Sequence, residues 1–118
     1  MDDCIFCKII KRELSSEIVF EDNSFVAFKT IVPMAPVHVL IVPKKHVISV
    51  DKLEDDDLEL AGKLILTARD LARDLNISEK GYKLIFHTGK YGEQEIDHLH
   101  LHLLGGARLR EEIKIIQE

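Results

Sequence analysis

The chain has 118 residues, 46% hydrophobic and 31% charged, enough for one buried core and too few for two. Its 16 Lys and Arg against 21 Asp and Glu leave a formal charge of −5, with basic runs no longer than a pair, which argues against a sequence-independent nucleic-acid binder. No apolar run approaches the ~18 residues of a membrane span and no charged-then-apolar export signal precedes the first motif, so no membrane partner and a cytoplasmic location are expected.

The first motif is Cys4-x-x-Cys7, which in a reducing compartment points to a metal clip or a redox pair. Ile5, Phe6, Ile9 and Ile10 then suit a short helix within residues 4–13. Residues 18–21 and 25–30 have strand character and flank Asp22-Asn23-Ser24, a turn-forming triplet, so a hairpin is expected. Residues 37–42 are rich in β-branched side chains and bracketed by Pro33, Pro36 and Pro43, which predicts a third strand.

From Asp51 the period changes. Leu58, Ala61, Leu64, Ile65, Ala68, Leu71, Ala72 and Leu75 fall on one side of a helix, Asp51 and Glu54 have capping-box spacing, and Asn76 is a plausible stop. Gly81 precedes a strand over residues 82–88, and a Gly89–Gly92 loop leads through Glu93-Gln94-Glu95 into a last strand over residues 98–104, ended by Gly105-Gly106. Residues 107–118 are amphipathic and suit a helix, a strand or a partner-binding tail. Short helix, three strands, long helix and two strands with short connections make a single α+β domain over residues 1–118.

Within the last strand His98-Leu99-His100-Leu101-His102-Leu103 alternates without a break. Extended backbone sends the leucines to a core and all three imidazoles to one surface, whereas a helix would scatter them. The neutral imidazole is both a nucleophile at pH 7 and a metal ligand. A solvated strand face and a three-histidine catalytic metal site remain the alternatives to nucleophilic chemistry.

This strand resembles the signature of the histidine-triad (HIT) superfamily, and the likeness to its Hint-like branch of nucleotide phosphoramidases extends to Cys4-Ile5-Phe6-Cys7-Lys8-Ile9-Ile10, Phe20-Glu21-Asp22, Ala27-Phe28, Ala35-Pro36-Val37-His38 and Ile41-Val42-Pro43-Lys44-Lys45-His46. The resemblance implies a HIT-like fold, a five-stranded antiparallel sheet with one long and one short helix, continued across a homodimer. It implies hydrolysis of, or transfer from, purine nucleotide conjugates, with His100 attacking the α-phosphorus, His102 contacting phosphate and His38 near the site. Phe6, Ile9, Phe28 and Ile31, with Ile5 and Leu40, would line the nucleoside pocket.

At three places the pattern differs. Glu93-Gln94-Glu95 stands where the branch usually has Gly-Gln-Ser at the phosphate, Thr30 where it has an acid for the ribose, and His87 where it has an asparagine. Two carboxylates beside a phosphate repel it unless a proton or cation intervenes, with Lys90 the nearest in sequence, so a catalytically weak nucleotide-binding or interaction module is the alternative function. Glu95 is a candidate acid for the leaving group. His46 after the third strand and His98 at the head of the last join Cys4 and Cys7 as two imidazoles and two thiolates for structural zinc, a set that the resemblance also implies; the alternative is a pair of reduced, unliganded cysteines. The tail lacks the tryptophan of many members, so residues 107–118 are expected to shape substrate choice differently.

Overall fold

A computed structural model describes residues 3–118. Helix α1 (Ile5–Ile10) leads into β1 (Ile18–Glu21), β2 (Phe25–Lys29) and β3 (Val37–Pro43), then α2 (Leu58–Asp74), β4 (Lys83–Ile85) and β5 (Leu101–Gly105). The strands form one antiparallel sheet in the order β1-β2-β3-β5-β4. Among the described residues no helix is long and apolar enough to cross a membrane.

Alternation along the strands gives the sheet two buried faces. Phe25, Ala27, Val39, Ile41, Leu101 and Leu103 pack beneath Leu64, Ala68, Leu71 and Ala72 of α2. Val26, Phe28, Leu40 and Val42 pack against Phe6 and Ile9 of α1. Leu40 of β3 lies opposite His102 of β5. His102 therefore shares the α1 face, and the six-residue α1 is too short to cover that face to its end.

Leu101 is fully buried at the centre of the α2 side. Leu101→Ala is expected to destabilise the fold by about 3 kcal/mol through lost transfer energy and a cavity, measurable by urea denaturation; a change under about 1 kcal/mol would contradict this packing.

Several boundaries differ from those the sequence predicts. Residues 50–52 and 55–57 form separate 3-10 turns, and α2 begins only at Leu58. The capping contact sits three residues later than predicted, the Glu54 N–H donating to Asp57 Oδ2 at 2.9 Å. Asp57 also accepts from Lys45 Nζ at 2.6 Å, a tertiary tie invisible to local spacing. Asn76 does stop the helix, with φ at 60°. The predicted strand over 82–88 shortens to three residues, and the last strand starts at Leu101 because other partners claim the backbone before it. The Leu99 N–H donates to Val47 O at 2.6 Å and the His98 carbonyl accepts a side-chain bond from His100. Leu99 nevertheless joins Leu101 and Leu103 in the core, as the alternation requires. Residues 107–118 form no regular element.

Candidate active site

On the α1 side of the sheet, four imidazoles converge. The ring centroids of His100 and His102 are 5.1 Å apart, those of His38 and His102 5.2 Å, and those of His87 and His102 5.1 Å. The edge-to-face contact of Phe6 with His100, at 5.0 Å and 74°, fixes one wall.

Their hydrogen bonds decide where the protons sit. His100 Nδ1 lies 2.7 Å from the His98 carbonyl oxygen, which can only accept, so the neutral ring carries its proton on Nδ1 and leaves the Nε2 lone pair free. The Met34 N–H donates to His38 Nδ1 at 3.1 Å, so neutral His38 is protonated on Nε2. That N–H faces His102 Nδ1 at 2.9 Å and donates to it, which leaves the His102 proton on Nε2. His102 Nε2 is buried and has no hydrogen-bond partner. A buried donor without an acceptor is costly, so a ligand oxygen at this point gains a full hydrogen bond. The site thus pairs a lone pair on His100 with a donor on His102.

Burial keeps these rings neutral. Desolvation pulls His102 from 6.5 down to about 4, aided by His100, His38 and His87. Desolvation also lowers His38. For His100, desolvation outweighs the opposing bond to His98, while His87 lowers and Glu95 raises its proton affinity.

The remaining predicted site residues fall into distinct environments. Phe6, Ile9, Phe28 and Leu40 are buried against one another, Ile5 is half exposed, and Ile31 projects from the turn after β2 with 96% of its surface open. Thr30 spends its hydroxyl as acceptor for the Val32 N–H at 3.3 Å. Gln94 spends its amide on the loop: Oε1 accepts from the Gly89 N–H at 2.9 Å, and Nε2 donates to the carbonyls of Ile48 at 2.7 Å and Ile96 at 2.9 Å. Glu93 and Glu95 are exposed on either side of it. The Met34 amide, which sets the His38–His102 relay, has no signature in sequence, because a backbone donor is supplied by loop shape alone.

A second cluster abuts the first. The ligand atoms of Cys4, Cys7, His46 and His98 all lie within 4.8 Å of one another. His98 Nδ1 is 3.3 Å from Cys4 Sγ and 3.5 Å from Cys7 Sγ, and His46 Nδ1 is 3.2 Å from Cys7 Sγ. His98 is completely buried and its Nε2–H donates to the Pro43 carbonyl at 2.8 Å, so its lone pair faces the sulfurs. A ligating histidine is held in this way by its second nitrogen. Burial, followed by the neighbouring Cys4 sulfur, pushes the Cys7 thiol up, a strain that a divalent cation would reverse. Two sulfurs and two imidazole nitrogens fit a closed tetrahedral metal site.

The HIT domain family matches residues 11–109. A purine nucleoside phosphoramidase of Escherichia coli strain K12 is 41% identical over 108 residues, covering 92% of this chain and 91% of that protein. A HIT family hydrolase from Clostridium thermocellum superposes with a TM-score of 0.91 at 45% identity, covering 97% of this chain and 99% of that one. A histidine triad protein from Clostridium difficile superposes with a TM-score of 0.92 at 35% identity, covering 96% and 98%.

Proposed function

This chain belongs to the HIT domain family, and on that premise we propose that it is a nucleotide phosphoramidase-type hydrolase that cleaves purine nucleoside monophosphate conjugates through His100. The observation that carries the reading is the 2.7 Å bond from His100 Nδ1 to the His98 carbonyl, which aims an unprotonated Nε2 out of a buried ring. In the first step Nε2 bonds to the α-phosphorus and the phosphorus–nitrogen bond breaks. The bonding pair leaves on the amine nitrogen, which takes up a proton from solvent, matched by the proton that the attacking water releases in the second step. In the second, water attacks phosphorus, the nucleotidyl–imidazole bond breaks, and nucleoside monophosphate departs with His100 restored. His102 Nε2–H holds a phosphate oxygen throughout, and His38 holds His102 in the tautomer that can donate.

Around that centre, Phe6, Ile9, Phe28 and the exposed Ile31 form the apolar side of the nucleoside site, with Thr30 toward the ribose and His87, Gln94 and Glu95 toward the phosphate. Zinc at Cys4, Cys7, His46 and His98 has a structural role, clipping α1 to the strand ends that carry His46 and His98, and free thiols suit a reducing cytoplasm. The single domain works as a homodimer, its sheet extended through an otherwise open edge strand.

The test is hydrolysis of a fluorogenic adenosine phosphoramidate with and without chelator. Turnover that survives brief chelation supports the imidazole mechanism, chelator-sensitive chemistry in still-folded protein would point to metal, and nucleotide binding without turnover would sink the assignment.

The acid limb of the pH profile follows from the same burial. Because the folded-state values of His38, His100 and His102 lie below 6.5, the reactive neutral forms persist as pH falls through that value. The acid midpoint of turnover is therefore expected below pH 6.5, read from kcat/KM measured across pH 4 to 8. A midpoint at or above pH 6.5 would contradict this. Stability has the same sign: the neutral His102 ring contributes fully above 6.5, and that contribution is lost as pH drops from there through about 4.

A further inference from the structure

Glu93 occupies a backbone conformation that does not suit it. Its φ is 59°, in the left-handed region that favours glycine. The loop holds it there firmly. The Glu93 N–H donates to Lys90 O and the Gln94 N–H to Gly89 O, both at 3.1 Å, and a Cβ on the adjacent Gly92 would lie 2.3 Å from the Thr88 carbonyl oxygen.

The side chain borders a groove of about 960 Å³ between this loop and the tail, a groove that also includes His87, next to His102. Three other carboxylates line it, and each has a lysine: Glu111 with Lys83 at 3.9 Å, Glu112 with Lys114 at 2.9 Å, and Glu118 with Lys90 at 3.3 Å. Glu93 alone among them has no cationic or hydrogen-bonding partner within the described residues. An exposed, unpaired carboxylate held in unfavourable backbone at the mouth of a phosphate-handling site suits a charge brought by the substrate.

Resting on the hydrolase reading above, we infer that Glu93 is a specificity-determining residue that selects conjugates whose leaving group carries a cationic amine and disfavours anionic ones. The groove along His87 and the tail is the open side that receives the leaving group, whereas Phe6 and Phe28 belong to the buried α1 cluster and do not line it. Glu93 takes no part in bond making. Its effect is Coulombic, so it grows at low ionic strength and fades with salt.

The experiment compares kcat/KM for three adenosine 5′-phosphoramidates, made from propylamine, 1,3-diaminopropane and β-alanine, whose leaving groups are neutral, cationic and anionic. At low salt the wild type is expected to prefer cationic over neutral and neutral over anionic by about threefold per step, as exposed charge pairs allow. Glu93→Gln keeps the length and removes the charge, and should compress each step to within about 1.5-fold. Glu93→Gly should do the same while holding or raising the melting temperature, since glycine suits this φ. No charge ranking in the wild type, or a ranking that survives in both variants, overturns the inference while leaving the hydrolase reading intact. Failure of the wild type to cleave even the propylamine conjugate defeats that reading, and the inference with it.

Discussion

His100→Ala is expected to lower turnover of an adenosine phosphoramidate by on the order of 10⁴-fold or more, with affinity for the nucleoside monophosphate product changed by no more than about threefold. The ring supplies the nucleophile, whereas affinity rests on the apolar walls and on His102, which the substitution leaves in place. His100 is 92% shielded and touches Phe6, so truncation also opens a small void. His100→Gln keeps most of the volume without a nucleophilic nitrogen and should be equally inactive. Steady-state kinetics and calorimetry on both variants, each checked for a wild-type-like melting transition, decide the matter. Turnover within about tenfold of wild type in either variant would remove His100 from the chemistry.

Loss of the proposed zinc is expected to have the largest effect on stability. A six-residue helix is far too short to persist alone, and α1 is held by Phe6 and Ile9 on one side and the cysteine–histidine cluster on the other. Structural zinc contributes its binding energy directly to folding. Cys7→Ser, or prolonged chelation, should lower the melting temperature by on the order of 10 °C, with turnover lost only in step with the folded fraction, because Phe6 and the His98 carbonyl that orients His100 both hang on this cluster. Protein purified without added metal should carry about one zinc per chain. A stoichiometry near zero, together with an unshifted melt in Cys7→Ser, would show that the cluster is a packed set of free side chains.

Much of this architecture was legible from periodicity. The three leucines between the histidines enter the α2 core as alternation demands, and the long helix buries Leu64, Ala68, Leu71 and Ala72 from the predicted stripe. The boundaries were less legible wherever tertiary bonds compete with local pattern. Asp57, drawn to Lys45 and to the Glu54 amide, moves the start of α2 beyond the predicted cap, and the His98–His100 side-chain bond draws the triad off the ladder before Leu101. The likeness to HIT sequences picked out His38 and His102, but the direction of the proton between them depends on a Met34 backbone amide, and no residue identity encodes that. The tail is the plainest gap. Its amphipathic spacing fits several elements, and in the folded chain it adopts none, leaving Ile113 and Ile115 about nine-tenths exposed.

The most direct test is to trap the covalent species. Rapid mixing with excess adenosine phosphoramidate, an alkaline quench and peptide mass spectrometry should find the nucleotidyl group on the peptide containing residues 98–102, with fragmentation placing it on His100, and His100→Gln should show no adduct. An adduct on His98 or His102, or steady turnover with no protein-bound nucleotide at any time point, would contradict a mechanism through the His100 Nε2 lone pair.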